Sequence, residues 1–392
     1  MADIIFGVSS VGLGHVKRSL IVANELRSRL PSASVEWVCA EPALTFLRLK
    51  GEAVLDVSSR LESVSRVFEE NSYNGGIRNM AKLARLSYSV ARRNYVLVKP
   101  CLSKYDVLVQ DEFMETLLAP SWDSNPPLPR RRAVITDYVE IEASTMNPYN
   151  WVTVLYANRL LKKAFMNQTI RIFADDLDAL PGKAGLRKWV ETNFLVTGPI
   201  VEGAPTQSRA ELKLELFGPS SQSKLIVFSI GGTTIGERLL RLAADNADKL
   251  SSELDAAIVI LTGPRLDASS FAGASNTLRV VPFTTDSIRY FAAADCLVTQ
   301  AGASTLNEAS ALGVPCVCIP ISNHWEQLRN AQRFSKRLGF VVLGYDELTL
   351  DTLVDAIKRS MLYPRHSQEK SPGAESRRVA AEVLCELIAS KT

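Results

Sequence analysis

Apolar residues along this chain come in short runs, and between the runs they recur at helical spacing. The first run, Asp3-Ile4-Ile5-Phe6-Gly7-Val8, has the length of a buried strand. Gly12-Leu13-Gly14 then turns the chain. Val16, Leu20, Ala23 and Leu30 mark one face of a following helix, with Leu26 on its flank. Val35–Cys39 is the next strand-like run. Strand, helix and strand in this order form a βαβ unit, which calls for a parallel sheet. Val107–Gln110, Ala133–Thr136, Ile170–Phe173 and Phe194–Val196 continue the series.

The pattern breaks at Gly198-Pro199. Residues 199–223 are rich in proline and small polar residues and hold one short helix-like piece, which predicts a linker. A second series then runs through Leu225–Ser229, Ala257–Leu261, Leu278–Val281, Cys296–Thr299 and Pro315–Ile319. The prediction is an α/β protein of two doubly wound Rossmann-like domains, 1–198 and 224–372, facing each other across a cleft. The tail, 373–392, is helix-like, and its return onto the first domain is a further expectation. In such sheets ligands bind beyond the carboxyl ends of the strands, so each domain offers one wall of a site.

The totals agree with this picture. A chain of 392 residues exceeds one typical core. A net charge of +3 is too small to indicate a nucleic-acid binder, so any basic surface must come from local clustering. Six cysteines lie scattered without a CxxC pair, which predicts buried thiols rather than a metal site or disulfides, and fits a cytoplasmic protein. Cys316 and Cys318 stand two apart in a strand and point to one face. The start, MADIIFGVSS, lacks the features of a signal peptide, and no apolar run approaches the length of a spanning helix.

Chemistry concentrates at the turns after strands. The first turn, Ser9 to His15, lies where a dinucleotide fold carries G-x-G-x-x-G, but Lys17 replaces the third glycine and no G-K-[ST] follows. A nicotinamide or P-loop reading is therefore poor. His15 begins a helix at the edge of the expected cleft. It could deprotonate an acceptor hydroxyl, or simply hydrogen-bond the turn; position alone favours neither. A histidine base needs a carboxylate to orient it. Asp111, Glu112 and Asp137 all follow strands, and Asp111 is the first choice. In the second half, Gly231-Gly232-Thr233-Thr234 and Gly302-Ala303-Ser304-Thr305 are small-residue turns that let a backbone approach a phosphate. Thr234-x-x-Glu237 and Thr305-x-x-Glu308 both fit a capping box, and Glu237 is expected to be such a cap.

The pattern G-x-S-x-x-x-E-A-x-x-x-G-V-P-x-x-x-x-P runs from Gly302 to Pro320, followed by Glu326-Gln327 and Asn330-Ala331. With the Gly12-Leu13-Gly14-His15 turn, it resembles GT-B glycosyltransferases. The likeness is to the family 28-like group of the bacterial cell-wall N-acetylglucosaminyltransferase and the UDP-glycosyltransferases. The resemblance implies a GT-B fold and an inverting, metal-independent transfer from a UDP-sugar to a hydroxyl acceptor, with no cofactor beyond that donor. It implies His15 as catalytic base, assisted by Asp111. Glu308 would bind the ribose, and Gly14, Gly231, Gly232, Thr233, Gly302, Ala303, Ser304 and Thr305 would border the diphosphate. Phe283 and Thr284 would flank the base, and Glu326 and Gln327 would hold the sugar. Gln300 replaces a histidine common in the family's phosphate loop, and Glu326 an aspartate common in its sugar-contacting pair.

Residues 77–99 carry six basic side chains and no acid, interleaved with apolar ones, and Arg159 to Lys163 adds a second basic piece. Such a helix either lies on an anionic membrane or is an ordinary half-buried helix with a solvated basic face. The first reading suits a lipid-linked acceptor and a cytoplasmic enzyme at the inner membrane face. Two alternatives share the pattern: a nucleotide-sugar hydrolase, whose G-x-G-H-x-x-R start matches Gly12 to Arg18, and a non-catalytic sugar-nucleotide-binding subunit.

Overall fold

The computed structural model describes residues 2–73, 75–142, 148–183, 185–218, 224–271, 277–365 and 372–390. The chain divides into two compact units. Unit 1 holds Met1–Glu70, Asn79–Val201 and Pro372–Thr392; unit 2 holds Asn71–Arg78 and Glu202–Ser371. In chain order the first strands are β1 (Asp3–Val8), β2 (Ser34–Cys39), β3 (Ser72–Tyr73), β4 (Gly76–Ile77), β5 (Val107–Asp111), β6 (Arg131–Thr136), β7 (Ile170–Phe173) and β8 (Leu195–Val196). They are followed by β9 (Lys224–Ser229), β10 (Ala256–Leu261), β11 (Leu278–Val281), β12 (Cys296–Thr299), β13 (Cys316–Cys318) and β14 (Phe340–Val342).

Unit 1 is a parallel sheet in the order β2-β1-β5-β6-β7-β8. The winding reverses between β1 and β5, and that is where a doubly wound sheet opens a crevice at its carboxyl edge. Both strands are buried on both faces, which is why their sequences read as continuous apolar runs. The helix Gly14–Arg29 follows β1 and buries Val16, Leu20, Val22, Ala23 and Leu26. Leu30 terminates this helix rather than extending its apolar face, and Leu26 lies in the core rather than on the flank. The C-terminal helix Pro372–Ala389 also belongs to unit 1. It packs on Gly14–Arg29, burying Ala380, Ala381 and Leu384.

Unit 2 repeats the design in the order β11-β10-β9-β12-β13-β14, with the reversal between β9 and β12. Phe228, Ile258, Ile260 and Val298 centre one face of its core, and Val227, Leu297, Leu306 and Phe334 the other. The segment read as a linker contains the helix Arg209–Phe217. A reciprocal Ser208–Glu211 capping box starts it, and its Leu212 is buried in the core of unit 2. Residues 219–223 of that segment, and His366, lie outside the described residues. β14 has only three residues at the sheet edge, too short to stand out as an apolar run. The antiparallel pair β3–β4 is equally short, and Ile77 N–H donates to the Ser322 carbonyl at 2.9 Å. All six cysteines are free thiols, and the Cys316 and Cys318 sulfurs lie 3.9 Å apart on one strand face.

Gly7 in β1 is required by close approach. A Cβ there would lie 2.5 Å from the ring of Phe113, which is itself 1% exposed and has nowhere to turn. Gly7→Ala is expected to cost about 1–3 kcal/mol through overpacking. Adding Phe113→Leu should recover part of that loss, as read by urea denaturation of both variants.

Candidate functional site

The turn after β1 and the end of β5 meet at the reversal point of unit 1. Gly14 is the first residue of the helix Gly14–Arg29, so His15, Arg18 and Ser19 project from one face of its first turns. Asp111 ends β5, and Glu112 follows it with φ of +48°, a left-handed conformation unusual for a long side chain. That conformation turns Glu112 toward the same place as Asp111.

The result is a buried polar cluster. His15 Nδ1 lies 3.0 Å from Asp111 Oδ1. The Arg18 guanidinium donates to Asp111 Oδ2 at 2.7 Å and Oδ1 at 2.5 Å, and to Asp137 Oδ2 at 2.5 Å. The Ser19 hydroxyl donates to Asp111 Oδ2 at 2.8 Å. Glu112 Oε1 lies 3.3 Å from Arg18, accepts the Asp137 N–H at 3.1 Å and lies 2.9 Å from the Thr136 hydroxyl. Its other oxygen, Oε2, faces His15 Nε2 at 3.6 Å. The imidazole therefore stands between two carboxylates, one at each nitrogen.

Charge and burial oppose one another here. Burial would lower the His15 pKa, but Glu112 and the Asp111 hydrogen bond outweigh burial and the nearby Arg18, and His15 is pushed up to about 9. Burial and the Asp137 charge push Glu112 up to about 8, against the pull of His15 and Arg18. Burial would raise Asp111 and Asp137 as well, yet Arg18 and His15 hold both below the usual carboxylate range. Glu112 and Asp137 thus bear on one another's titration most directly, and the Glu112 charge in turn raises His15. His15, Asp111 and Glu112 have ligand atoms within 4.8 Å of one another, which by residue type could hold a metal ion. Arg18 already supplies the cation at that point, which leaves the set a poor fit for a divalent ion.

Unit 2 carries the remaining sequence-predicted residues beyond the carboxyl ends of its strands, with the two small-residue turns at its own reversal point. Gly231, Gly232 and Thr233 follow β9, and Gly231 has φ of +75°, which a glycine adopts without strain. Gly302 caps the helix Ala303–Ala311 after β12, so the N–H groups of Ala303, Ser304 and Thr305 are those left free in the first turn. Gln300 ties the two turns together. Its amide, oriented to suit its surroundings, donates to the Ile230 carbonyl at 3.1 Å and accepts the Gly236 N–H at 3.2 Å. Glu308 lies in the second turn of the helix and is 3% exposed.

The capping box expected at Thr234–Glu237 does not form, nor does the Thr305–Glu308 pattern make one. The helix Glu237–Asp245 is capped by Gly236 with no side-chain hydrogen bond, and Glu237 instead pairs with Arg241 at 2.5 Å. The reason is that the loop runs two residues past Thr234 before the helix begins. Phe283 and Thr284 follow β11, and the Thr284 hydroxyl accepts the Asp286 N–H at 3.1 Å ahead of the helix Ser287–Ala293. Glu326 and Gln327 open the helix Trp325–Phe334, which His324 caps through Nδ1. Burial drives His324 down to about 4, so it is neutral. Gln327 Oε1 accepts the Ile321 N–H at 2.9 Å, leaving its NH2 group as the end able to turn outward. His324 and Trp325 are both buried.

Sequence reasoning underused Arg18 and Ser19. Their signal was spacing: three and four residues after His15, they share its helix face.

Residues 226–384 match the glycosyltransferase family 28 C-terminal domain. An uncharacterized glycosyltransferase of Methanopyrus kandleri is 26% identical over 50% of this chain and 56% of its own length. The UDP-N-acetylglucosamine–N-acetylmuramyl-(pentapeptide) pyrophosphoryl-undecaprenol N-acetylglucosamine transferase of Finegoldia magna is 33% identical over 35% of this chain and 38% of its own. The chain thus spans about half or less of the curated relatives it matches. Among solved structures, the glycotransferase of kitacinnamycin superposes with a TM-score of 0.65 over 99% of both chains at 16% identity. The calicheamicin glycosyltransferase CalG4 gives 0.55 over 100% of this chain and 94% of its own at 17% identity. At such identities the likeness is one of fold. Two parallel six-stranded sheets of this topology share the GT-B fold of those solved glycosyltransferases, and the second sheet lies within the region that matches the family 28 C-terminal domain.

Proposed function

We propose that this chain is an inverting, metal-independent glycosyltransferase that moves a sugar from a UDP-sugar to a hydroxyl acceptor. The observation that carries the reading is the 3.0 Å contact of His15 Nδ1 with Asp111 Oδ1 at the reversal point of a doubly wound sheet. An imidazole held at Nδ1 presents Nε2 as a base to an acceptor hydroxyl. The acceptor oxygen attacks the anomeric carbon as the bond to the diphosphate breaks, and its proton ends on Nε2. In unit 2 the free N–H groups at the start of Ala303–Ala311 and the turn Gly231–Thr233 would hold the departing diphosphate, with the helix dipole opposing its charge. Glu308 would take the ribose hydroxyls, Phe283 and Thr284 the base, and Glu326 and Gln327 the sugar.

The acceptor is proposed to be lipid-linked and met at an anionic membrane face. Helix Met80–Val98, the core of the basic segment, buries its apolar side: Met80, Leu83, Val90, Tyr95 and Val98 are inside. Lys82, Arg85, Arg92 and Arg93 remain on the surface, with Arg93 paired to Glu62. This segment alone therefore offers charge without an apolar face. The neighbouring helix Pro148–Met166 supplies the apolar part, with Trp151 62% and Tyr156 63% exposed beside Val152 and Leu155. Arg159 and Lys163 are exposed one and two turns further on. Aromatic rings flanked by basic residues suit the headgroup region. Among the described residues no helix is long and apolar enough to cross a membrane.

UDP release from a panel of UDP-sugars, with and without a membrane lipid extract, tests the reading. His15→Ala should lower extract-dependent release by about 10²–10⁴-fold, and Glu308→Gln should raise KM for the donor roughly tenfold or more by removing a charged hydrogen-bond acceptor. Rapid release without an acceptor would make the chain a hydrolase instead. Because the raised His15 pKa favours imidazolium, kcat/KM should climb from pH 7 towards about pH 9 rather than level off near 6.5. Sedimentation with anionic vesicles should retain the wild-type chain, and Trp151→Ala with Tyr156→Ala should weaken that binding about tenfold.

A further inference from the structure

Glu112 is a member of the unit 1 cluster to which the glycosyl-transfer scheme gives no work. Its placement is costly. A non-glycine residue at φ +48° lies in the left-handed region, and its carboxylate is 5% exposed beside Asp111 and Asp137. Left-handed backbone at a long side chain persists where surrounding structure over-determines it, and such outliers cluster at working sites. Here the surroundings hold only one end of the carboxylate. Oε1 is fixed by the Asp137 N–H, the Thr136 hydroxyl and Arg18, while Oε2 points at His15 Nε2, the nitrogen that must receive the acceptor proton.

We propose that Glu112 is a positioning residue that takes the proton from His15 Nε2 and so delivers the imidazole as a neutral base. The inference rests on the transferase reading above. Above about pH 8, where Glu112 is a carboxylate and His15 still an imidazolium, the ring carries protons on Nδ1, towards Asp111, and on Nε2, towards Glu112. At 3.6 Å the second contact is an ion pair, longer than a hydrogen bond, and a small side-chain rotation closes it. The Nε2 proton then passes to Glu112 Oε2. One carboxylate becomes a carboxylic acid, one imidazolium becomes neutral imidazole, and no proton is exchanged with solvent. The acceptor hydroxyl can then hydrogen-bond to the bare Nε2 and later leave its proton there. The fixed charges that face this pair are Asp111, Asp137 and Arg18. Asp111 keeps the Nδ1 proton in place, Asp137 discourages a second negative charge on Glu112, and Arg18 binds all three carboxylates. Burial, together with Asp137, already biases Glu112 towards its protonated form.

The test is Glu112→Gln, which keeps the side-chain shape but cannot accept the proton. His15 is one of three histidines, and His15→Ala identifies its imidazole signals in an NMR titration of the full chain. Glu112→Gln should lower the His15 titration midpoint by about one unit or more, because a negative partner of the imidazolium is gone. The acid limb of kcat/KM should move down by a similar amount. Glu112→Asp, which retains a carboxylate, should stay nearer the wild-type midpoint than Glu112→Gln. An unchanged melting temperature in Glu112→Gln shows that the cluster still folds. An unmoved midpoint in a folded variant overturns the proposal, as does an Asp variant that behaves like Gln. If the midpoint moves but no sugar donor is turned over in a His15-dependent way, the proton pair stands and the transferase reading falls.

Discussion

Arg18 carries its charge into a site where it is 4% exposed and there meets Asp111, Asp137 and Glu112. Removing a guanidinium from water is expensive, and only an arrangement that satisfies its donors repays the cost. The donors go to the ends of strands β5 and β6 and to the residue after β5, which is how one side chain from the first helix locks the carboxyl edge of the sheet. His15 depends on that lock. Asp111 can hold Nδ1 because Arg18 and Ser19 keep the carboxylate ionised and oriented. Unit 1 therefore holds a buried charge balance: two aspartates held below the usual carboxylate range, one guanidinium, and a histidine flanked by Asp111 and Glu112.

The two units apply one topological rule with two different linings. Each sheet reverses its winding at a neighbouring strand pair, β1 with β5 and β9 with β12, and each reversal leaves a crevice at the carboxyl edge. In unit 1 the crevice is filled by side chains that ionise. In unit 2 it is lined by backbone: a left-handed Gly231, a helix started at Gly302, and Gln300 bridging the two turns. Proton transfer requires groups of adjustable charge, whereas binding a diphosphate requires fixed N–H dipoles. The match to the family 28 C-terminal domain falls on the second sheet.

How far the site could be read beforehand differed with the kind of signal. The alternating strands and turns were legible because parallel strands buried on both faces appear as apolar runs, as in Ile4–Val8 and Leu225–Ser229. His15 and Asp111 were legible because they stand at strand-end turns. The capping box at Thr234–Glu237 misled because the same four-residue pattern arises in a loop that has not yet become a helix. The burial of His324 and Trp325 was not legible, because polarity in sequence does not report burial. Residues 77–99 showed their basic charge but not that Tyr95 and Val98 belong to the core, so charge and apolar surface had to be reassigned to two neighbouring helices.

By itself the sequence determined the class of fold, the order of its strands along the chain, and the turns where backbone can approach a phosphate. These are local properties: periodicity, chain-reversing glycines and helix starts. Only tertiary structure decided which charges face one another. Glu112 and His15 are 97 positions apart in numbering by simple difference (112 − 15), and Arg18 and Asp137 further still. Their contact follows from the sheet placing β5 beside β1 and β6 beside β5. Whether a histidine is a base, an imidazolium or a buried cap depends on the field at its ring. That field is a sum over neighbours brought together by the fold, which is why His15 and His324, both at helix starts in the structure, are driven in opposite directions.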